Sequence, residues 1–186
     1  MSRRKLSTNE LDRKTIEAFK SSAKTPVVIV LDNVRSLNNI GSVFRTADAF
    51  IVKAIYLCGF TATPPHKDIH KTALGATESV EWRYFESTLK AVEQLIKEDH
   101  MIISLEQTTD SISLFEFSPE INTNFALIFG NEIKGVDQAV IDRSHVCIEI
   151  PQFGTKHSFN IAVSAGIVLW DLHTKLNKPL QFTHKE

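Results

Sequence analysis

The chain has 186 residues, 42% of them hydrophobic and 23% charged, with a net charge of −1 at pH 7. This length and composition suit one globular domain and exclude a disordered chain, and the net charge does not point to nucleic acid. The sequence has no apolar run long enough to cross a bilayer, no secretory signal, and two cysteines without metal or redox spacing. We therefore expect a cytoplasmic protein whose cysteines are reduced.

Residues 1–24 form a basic arm although the chain as a whole is slightly acidic. The arm carries a charge of +4 and the remaining residues −5. Ser7 or Thr8 can cap a helix that begins near Asn9, and Pro26 ends the segment. Such an arm suits contact with phosphates. A solvated helix face explains the same charges, and on this feature alone it is the better interpretation.

Strands and helices alternate along the rest of the chain. The run Val27–Leu31 is continuously apolar, which is typical of a strand buried on both faces of a parallel sheet. The same reasoning predicts strands at 54–58, 80–85, 101–105, 125–129 and 146–150, and helices at 39–50, 87–98, 136–143 and 158–176. Residues 61–70 are predicted as a loop or a short helical turn. Residues 25–186 are therefore predicted to be one α/β domain with a mostly parallel sheet flanked by helices.

The loop after the first strand leads into a helix with polar residues near its start. In open parallel sheets, ligands bind in loops at the carboxyl ends of the strands. Asn39 can cap this helix, Gly41 permits close approach of another group, and Arg45 can reach a phosphate or a carboxylate. Taken alone, the segment is explained as well by a capped helix with a surface arginine.

Two later loops also follow predicted strands. Residues 130–135 place two glycines around Glu132, which indicates a tight turn, but their spacing matches neither a phosphate loop nor a dinucleotide-binding fingerprint. Residues 151–160 contain Gly154 and run into an apolar helix that Ser158 or Asn160 can cap. His157 has no visible catalytic partner, so we interpret it as loop surface.

Together the three loops resemble the SpoU (TrmH) family of the SPOUT methyltransferases. The matching segments occur in family order and are Asn39-Ile40-Gly41-Ser42-Val43-Phe44-Arg45, Phe129-Gly130-Asn131-Glu132-Ile133-Lys134-Gly135, and Ile150-Pro151-Gln152-Phe153-Gly154 with Ser158-Phe159-Asn160. Thr72–Ala76 also resembles a family segment. The resemblance covers about residues 27–176. Phe159 stands where the family usually has Leu or Met, and Gln152 stands where it often has Met. Both changes are compatible with backbone contacts to a cofactor.

The resemblance implies an RNA ribose 2′-O-methyltransferase that uses S-adenosylmethionine and no metal. It also implies a deep C-terminal trefoil knot and a homodimer packed through the final helix, with Arg45 completing the partner's site. The catalytic residues it implies are Arg45, Asn39, Glu132, Ser158 and Asn160. Its cofactor contacts are Leu105, Glu106, Gly130, Ile150, Gln152 and Phe159. The RNA contacts that we predict are Arg3, Arg4, Lys5, Arg13, Lys14 and Arg45.

The substrate and three other functions stay open at this point. With only the arm and the dimer surface to capture RNA, tRNA is favoured over rRNA. By analogy with the family, a guanosine in the tRNA D-loop is the first choice of nucleotide, and the tRNA wobble position is the last choice. Arg45 and Asn160 argue against a non-catalytic RNA-binding protein on this fold, since their loss would have favoured one. The Asn39 to Arg45 pattern favours ribose over base methylation. The missing glycine fingerprint disfavours a nucleotide-binding oxidoreductase.

Overall fold

The apolar runs of the sequence become the strands of one sheet. A computed structural model describes residues 3–177, so that Met1 and Ser2 of the predicted arm and residues 178–186 of the predicted domain lie outside the described residues. The strands are β1 (Thr25–Asp32), β2 (Val52–Cys58), β3 (Trp82–Phe85), β4 (His100–Leu105), β5 (Ile112–Ser113), β6 (Asn124–Phe129) and β7 (Val146–Glu149). The helices are α1 (Ile16–Ser21), α2 (Leu37–Ala49), α3 (Lys67–Ala73), α4 (Ala76–Ser79), α5 (Thr88–Lys97), α6 (Gln138–Ile141) and α7 (Ile161–Leu176).

The sheet is parallel throughout and is covered on both faces. Its strand order is β3-β2-β1-β6-β4-β7-β5, and every neighbouring pair runs parallel. Ile29 of β1 belongs to a core that it shares with α2, α3 and α7, whereas Val28 and Val30 belong to a second core with α5 and α6. Burial on both faces explains why the β1 run is apolar without alternation. The predicted α/β class is confirmed.

Helix α2 approaches α3 closely, and Gly41 is the residue that permits it. A Cβ atom at Gly41 would lie 2.1 Å from the hydroxyl oxygen of Thr72 and 2.3 Å from the carbonyl oxygen of Ile69. The Thr72 hydroxyl donates to the carbonyl of Asn38 at 3.1 Å. The close approach expected at Gly41 is therefore found, and it fixes the start of α2 against α3.

The single helix predicted from near Asn9 is wrong. The arm contains a short 3₁₀ turn at Thr8–Leu11 and then α1, separated at Asp12, whose φ is 47°. The carboxylate of Glu10 accepts from the backbone N–H and the hydroxyl of Ser7 and from the Arg4 guanidinium, so the first turn closes on itself. A second cap, Thr15, then starts α1 by accepting from the N–H of Ala18.

Other differences concern the ends of elements and short elements. The cap of α2 is Ser36, whose hydroxyl accepts from the N–H of Asn39, because the Asn39 side chain is bonded to two other loops. Residues 67–73 form a helix of almost two turns where a loop or a short turn was predicted. Strand β5, of two residues, and helix α4, of four residues, were not predicted.

His100 is a buried histidine at the start of β4. It is 4% exposed, and within the described part of the chain neither ring nitrogen forms a hydrogen bond of normal geometry, although carbonyl groups of Leu95 and Glu98 lie near. Burial lowers the pKa of His100, and the charge of Lys53 acts in the same direction. The folded protein therefore holds this imidazole neutral at pH values where the unfolded chain takes up a proton.

The free energy of unfolding is expected to fall as the pH drops below about 6.5, the ordinary histidine value, because protonation of His100 favours the unfolded chain. His100→Phe removes this contribution while keeping an apolar side chain of similar size. Urea unfolding at pH 7.5 and at pH 5.5 measures the loss of stability in each protein. A loss equally large in both would contradict this role for His100.

Residues 3–177 offer neither a membrane-spanning helix nor a metal cluster. None of their helices is long and apolar enough to cross a membrane, and they hold no group of three or more His, Cys, Asp or Glu side chains placed to bind a metal ion. Cys58 and Cys147 are both free and buried. Burial raises the pKa of Cys58 to about 12, so its thiol is protonated and unreactive at neutral pH.

Candidate active site

Four strand ends lie side by side at one edge of the sheet. Leu31 of β1 pairs with Phe129 of β6, Phe129 pairs with Leu105 of β4, and Leu105 pairs with Ile148 of β7. Since these pairs are in register, the loops that follow the four strands begin at the same level. The three loops singled out in the sequence therefore meet at one edge, as the parallel sheet predicts.

A pocket of about 700 Å³ lies among these loops, and we call it the loop pocket. This volume is within the range of small-molecule and cofactor sites. The six residues predicted to contact a cofactor all line it, and they are Leu105, Glu106, Gly130, Ile150, Gln152 and Phe159. Glu132, Ser158 and Asn160 line it as well, and so does His157, which was interpreted as loop surface. Neither Asn39 nor Arg45 is among its lining residues.

The turn from Gly130 to Gly135 forms one wall of the loop pocket. Asn131 and Gly135 exchange two backbone hydrogen bonds of 2.9 Å, which close the turn. A Cβ atom at Gly130 would lie 2.1 Å from the carbonyl carbon of Gly135 and 2.2 Å from the nitrogen of Val136. Because these are backbone atoms, they cannot move aside as the end of a side chain can. Gly130 is therefore required for the shape of this wall.

Glu106 joins the end of β4 to this turn. Its carboxylate accepts from the N–H of Val136 at 2.9 Å and from the N–H of Gln107 at 3.0 Å. Gly135 has a φ of 71°, and a Cβ atom there would lie 2.1 Å from a carboxylate oxygen of Glu106. Glu106 lines the pocket as predicted, but its carboxylate is held by protein N–H groups, so a ligand contact falls to its backbone.

Glu132, Asn39 and Asn160 connect the three loops by hydrogen bonds. Glu132 accepts from the N–H groups of Arg35 and Ser36 at 3.0 and 2.9 Å, and from the side-chain amide of Asn39 at 3.3 Å. The Asn39 side-chain oxygen accepts from the amide of Asn160 at 3.0 Å. The structure therefore brings together three of the five residues predicted to be catalytic.

The carboxylate of Glu132 remains ionised within this network. Its partial burial raises the pKa, but the hydrogen bonds from the Arg35 and Ser36 N–H groups outweigh burial, and the net pKa of Glu132 lies below its ordinary value. An ionised carboxylate accepts hydrogen bonds without donating. It therefore fixes the Asn39 amide with its nitrogen toward Glu132 and its oxygen toward Asn160.

Replacing Asn160 by alanine is expected to lower the free energy of unfolding by about 1 kcal/mol. Asn160 caps α7, because its side-chain oxygen accepts from the N–H groups of Ala162 at 2.9 Å and Val163 at 3.4 Å. Asn160→Asp is the matched control, since aspartate caps helices as well as asparagine does. Chemical denaturation measures both variants, and an alanine variant as stable as the Asp variant would contradict the capping role.

The loop from Pro151 to Asn160 closes the pocket with the help of Gln107. The side-chain amide of Gln107 donates to the carbonyl of His157 at 3.2 Å, and that of Gln152 donates to the same oxygen at 3.5 Å. Ser158 and Phe159 are exposed at the rim. Sequence reasoning missed Gln107, although its place directly after Glu106 at the end of a buried strand could have indicated it.

Arg45 lies apart from the loop pocket, in a second depression that we call the basic groove. This groove of about 490 Å³ lies between the arm, α2 and α4, and its lining has three cations, Arg13, Lys14 and Arg45, against two carboxylates, Asp12 and Asp48. Arg45 is exposed, and within the described residues it has no hydrogen bond or ion pair. Arg4 pairs with Glu10 at 2.6 Å at the start of the arm. The structure therefore separates Arg45 from the residues with which the sequence grouped it.

Lys24 anchors the arm beside this groove. Its ammonium group donates to the carbonyl of Phe19 and lies 3.6 Å from the centre of the Phe19 ring, which is buried against the core. Burial lowers the pKa of Lys24. Because a cation over an aromatic face is an attractive contact, Lys24 fixes the end of α1 to the body of the protein. Arg13 and Lys14, just before α1, are thereby kept near Arg45.

Comparison with known proteins agrees with this fold. The model of the SpoU rRNA Methylase family matches residues 26–170. The 23S rRNA (guanosine-2′-O-)-methyltransferase RlmB of Neisseria meningitidis is 27% identical over 153 residues, which are 82% of this chain and 60% of the relative. The chain thus spans less than two thirds of the length of this relative.

Solved structures have the same fold. An AdoMet-bound rRNA methyltransferase from Sinorhizobium meliloti matches with a TM-score of 0.77 and 22% identity, over 83% of this chain and 58% of that one. A protein from a structural study of 2-OH methylation of C/U34 on tRNA matches with a TM-score of 0.71 and 23% identity, over 82% of this chain and 98% of that one. With the family match over most of the chain, the fold and the loop pocket lead to one conclusion: this protein belongs to the SpoU rRNA methylase family.

Proposed function

We propose that this protein transfers a methyl group from S-adenosylmethionine to a ribose 2′-hydroxyl of a structured RNA. The observation that carries the proposal is that three sequence segments, far apart in the chain, surround one pocket and are joined by the Glu132, Asn39 and Asn160 hydrogen bonds. A non-catalytic RNA-binding protein on this fold has no need for such a pocket. The retention of Arg45 and Asn160 also favours the enzyme.

The loop pocket suits S-adenosylmethionine in size, polarity and charge. Leu105, Ile148 and Ile150 offer apolar surface for the faces of an adenine ring, and backbone groups at the strand ends suit its edge. The lining holds three carboxylates, Glu106, Glu132 and Glu149, and a single lysine, Lys134. An excess of negative charge favours a cationic ligand. When bound, this cofactor supplies a methyl group attached to a positively charged sulfur.

Around that ligand, the protein's own residues have positioning roles. Gly130 and Gly135 shape the wall, while Glu132 sets the orientation of Asn39 and, through it, of Asn160. Ser158 is exposed at the rim, where its hydroxyl can hold the ribose. Hydrogen bonds hold Glu132, Asn39 and Asn160 in place before substrate arrives, and such preorganisation is a main source of catalytic power.

We assign Arg45 an electrostatic role rather than that of a base. A guanidinium does not give up its proton at neutral pH, so it cannot accept one from a hydroxyl. It can pair with an RNA phosphate and stabilise the negative charge that develops on the ribose oxygen. The bound hydroxyl is neutral, and negative charge develops on its oxygen only as its proton leaves for solvent and the methyl group passes from sulfur to oxygen, releasing S-adenosylhomocysteine. The contact therefore favours the transition state over the bound substrate and accelerates the reaction.

Arg45 would serve the pocket of a second copy of the chain. In α2 it lies six residues beyond Asn39, about 9 Å along the helix axis, and outside the loop pocket of its own protomer. We place the homodimer contact on α7, which leaves Val163 and Trp170 half exposed, at 50% and 53%. A helix with small residues such as Gly166 can pack closely against a second copy.

The basic groove and the arm would then capture RNA. Arg13 and Lys14 line the groove with Arg45, and Arg3 and Lys5 are exposed along the arm. Phosphate contacts of this kind supply affinity that decreases as salt concentration rises. Arg4 shares its charge with Glu10, and we therefore expect it to contribute less than Arg13 or Lys14.

We favour tRNA as the substrate, with a D-loop guanosine as the first site to test. In favour of tRNA, the chain matches 98% of the length of the protein from the study of 2-OH methylation of C/U34 on tRNA. That study supports tRNA as the substrate, whereas the D-loop guanosine rests on analogy with the family alone. The second candidate is rRNA, favoured by the similarity to RlmB, which is named as a 23S rRNA guanosine-2′-O-methyltransferase.

Transfer of a labelled methyl group to transcribed tRNA and, separately, to rRNA distinguishes these candidates. We expect label in tRNA that disappears when the D-loop guanosines are replaced. Label in rRNA alone would move the assignment to the second candidate. Cofactor binding without transfer to either pool, or to total cellular RNA, would favour a non-catalytic RNA-binding role.

A further inference from the structure

A third depression lies beside the basic groove, and it shares no lining residue with the loop pocket. It measures about 510 Å³, and we call it the Trp82 pocket; it is lined by Pro64, Pro65, His66, Lys67, Ile69, His70, Thr77, Glu78 and Trp82. These residues come from the loop after β2, from α3, from α4 and from the first residue of β3. Its volume is within the range that small ligands occupy.

The interior of the Trp82 pocket is apolar and its charges are balanced. Trp82 is half-buried and Ile69 is fully buried, and the two prolines add further apolar surface. Among the lining residues, Lys67 carries a positive charge and Glu78 a negative one. A phosphate would gain little here, because Glu78 opposes it. A flat, uncharged ring can lie against the indole face, and such stacking is how proteins hold unpaired bases.

The rim offers both hydrogen-bond donors and acceptors. His66 caps α3, since its Nδ1 atom accepts from the N–H of Asp68 at 3.2 Å. In the neutral ring the proton therefore lies on Nε2, which remains able to donate. Glu78 can accept from an amino group, and the Thr77 hydroxyl can do either. This mixture matches the edge of a nucleobase, which also carries both kinds of group.

The Trp82 pocket and the basic groove lie on opposite sides of α4. Thr77 and Glu78 line the former, while Ala76 and Ser79 line the latter. Helix α4 is one turn, about 10 Å across with its side chains. One RNA strand can therefore place a phosphate against Arg45 and an adjacent base against Trp82. This adjacency favours RNA over a peptide as the occupant.

We infer that the Trp82 pocket binds an unpaired nucleobase of the RNA substrate, close in sequence to the nucleotide whose phosphate contacts Arg45. The inference rests on the proposed function, because it takes RNA as the substrate. It adds a base contact to the charge contacts of the basic groove. Such a contact selects RNA regions in which a base is free to leave its stack, such as loops.

Trp82 fluorescence tests this inference directly. The chain has two tryptophans, so Trp170→Phe leaves the Trp82 indole as the only one. A short unstructured oligoribonucleotide is titrated into this protein without cofactor, beside an abasic oligomer of the same length and charge. We expect saturable quenching by the first and little by the second. No quenching, equal quenching by both, or quenching by a proline-rich peptide in place of RNA would overturn the inference.

Variants of the pocket provide a second measurement. Trp82→Ala is expected to raise the Kd for the oligoribonucleotide about tenfold, and Trp82→Phe less. Because Trp82 packs on the core, exposed Glu78→Ala serves as a variant that will fold. Its matched control is exposed Glu93→Ala on α5, which removes the same charge, and we expect the Glu78 variant to have a Kd severalfold above that of the Glu93 variant. Equal Kd values for the Glu78 and Glu93 variants would count against the inference.

Failure of the inference differs from failure of the proposed function. Quenching and Kd are measured without cofactor and therefore do not depend on methyl transfer. Base binding without methyl transfer would support the pocket assignment and contradict the proposed enzymatic activity. The converse result is also possible: the protein methylates RNA, and its KM for RNA is the same in the parent, in Trp82→Phe and in Glu78→Ala. That result would support the enzyme assignment and contradict the pocket assignment.

Discussion

Arg45→Ala is expected to lower kcat for methyl transfer by about 100- to 1,000-fold, the usual effect of removing one group that stabilises transition-state charge. Affinity for S-adenosylmethionine should change little, because we assign Arg45 to the RNA phosphate and the ribose oxygen and not to the cofactor. Single-turnover kinetics and calorimetry measure the two quantities. Arg45→Lys should recover only part of the rate, since an ammonium lacks the planar pair of donors.

Two controls sharpen the Arg45 experiment. Arg143→Ala removes another exposed arginine, at the end of α6, and should leave the rate unchanged. Mixing Arg45→Ala with a cofactor-pocket variant should restore part of the activity, because one site in each mixed dimer then has both an intact pocket and a partner arginine. Full turnover by Arg45→Ala would contradict the electrostatic role of Arg45. Mixed dimers without activity would contradict an active site to which both protomers contribute.

Gly130→Ala is expected to weaken binding of S-adenosylmethionine by about 10- to 100-fold, through strain of the kind that overpacking produces. The added Cβ atom would lie 2.1 Å from a backbone carbon of Gly135 and 2.2 Å from a backbone nitrogen of Val136. The turn must therefore open, and this changes the wall of the loop pocket. Calorimetric titration measures the affinity, and circular dichroism shows whether the fold persists.

Gly154→Ala is the matched control for Gly130→Ala. It adds the same methyl group to another glycine of the loops around the pocket, but there the new Cβ atom meets nothing within 4 Å. We expect its affinity for the cofactor to remain within about twofold of the parent, as for a surface substitution. Equal effects at Gly130 and Gly154 would show that the close approach at Gly130 does not shape the site.

The strands and the loops after them could be predicted because burial on both faces leaves a plain signal. Val27–Leu31 is apolar at every position, and the sheet buries every one of these side chains. The roles of the loops came from the family resemblance, since the turn at 130–135 is equally compatible with a simple connection. The knot that the resemblance implies stays a prediction, because chain threading has no local sequence signal.

Contacts between distant segments could not be predicted. Asn39 looks like a helix cap, but Ser36 takes that role because Glu132 and Asn160 engage the Asn39 side chain. Glu106 contacts Val136, 30 residues further along, and only the pairing of β4 with β6 brings them together. The separation of Arg45 from the loop pocket likewise depends on how α2 packs, which its own sequence does not specify.

Nucleoside analysis of the methylated RNA tests the central claim most directly. RNA labelled by the purified protein and S-adenosylmethionine is digested to nucleosides, and the position of the new methyl group is identified by mass spectrometry. We predict a 2′-O-methylnucleoside, and about 10- to 100-fold less of it with the Gly130→Ala variant at a limiting cofactor concentration. A methyl group on a base would contradict ribose methylation, although the protein would remain an RNA methyltransferase. Unmethylated RNA, with the cofactor bound, would contradict the enzyme assignment itself.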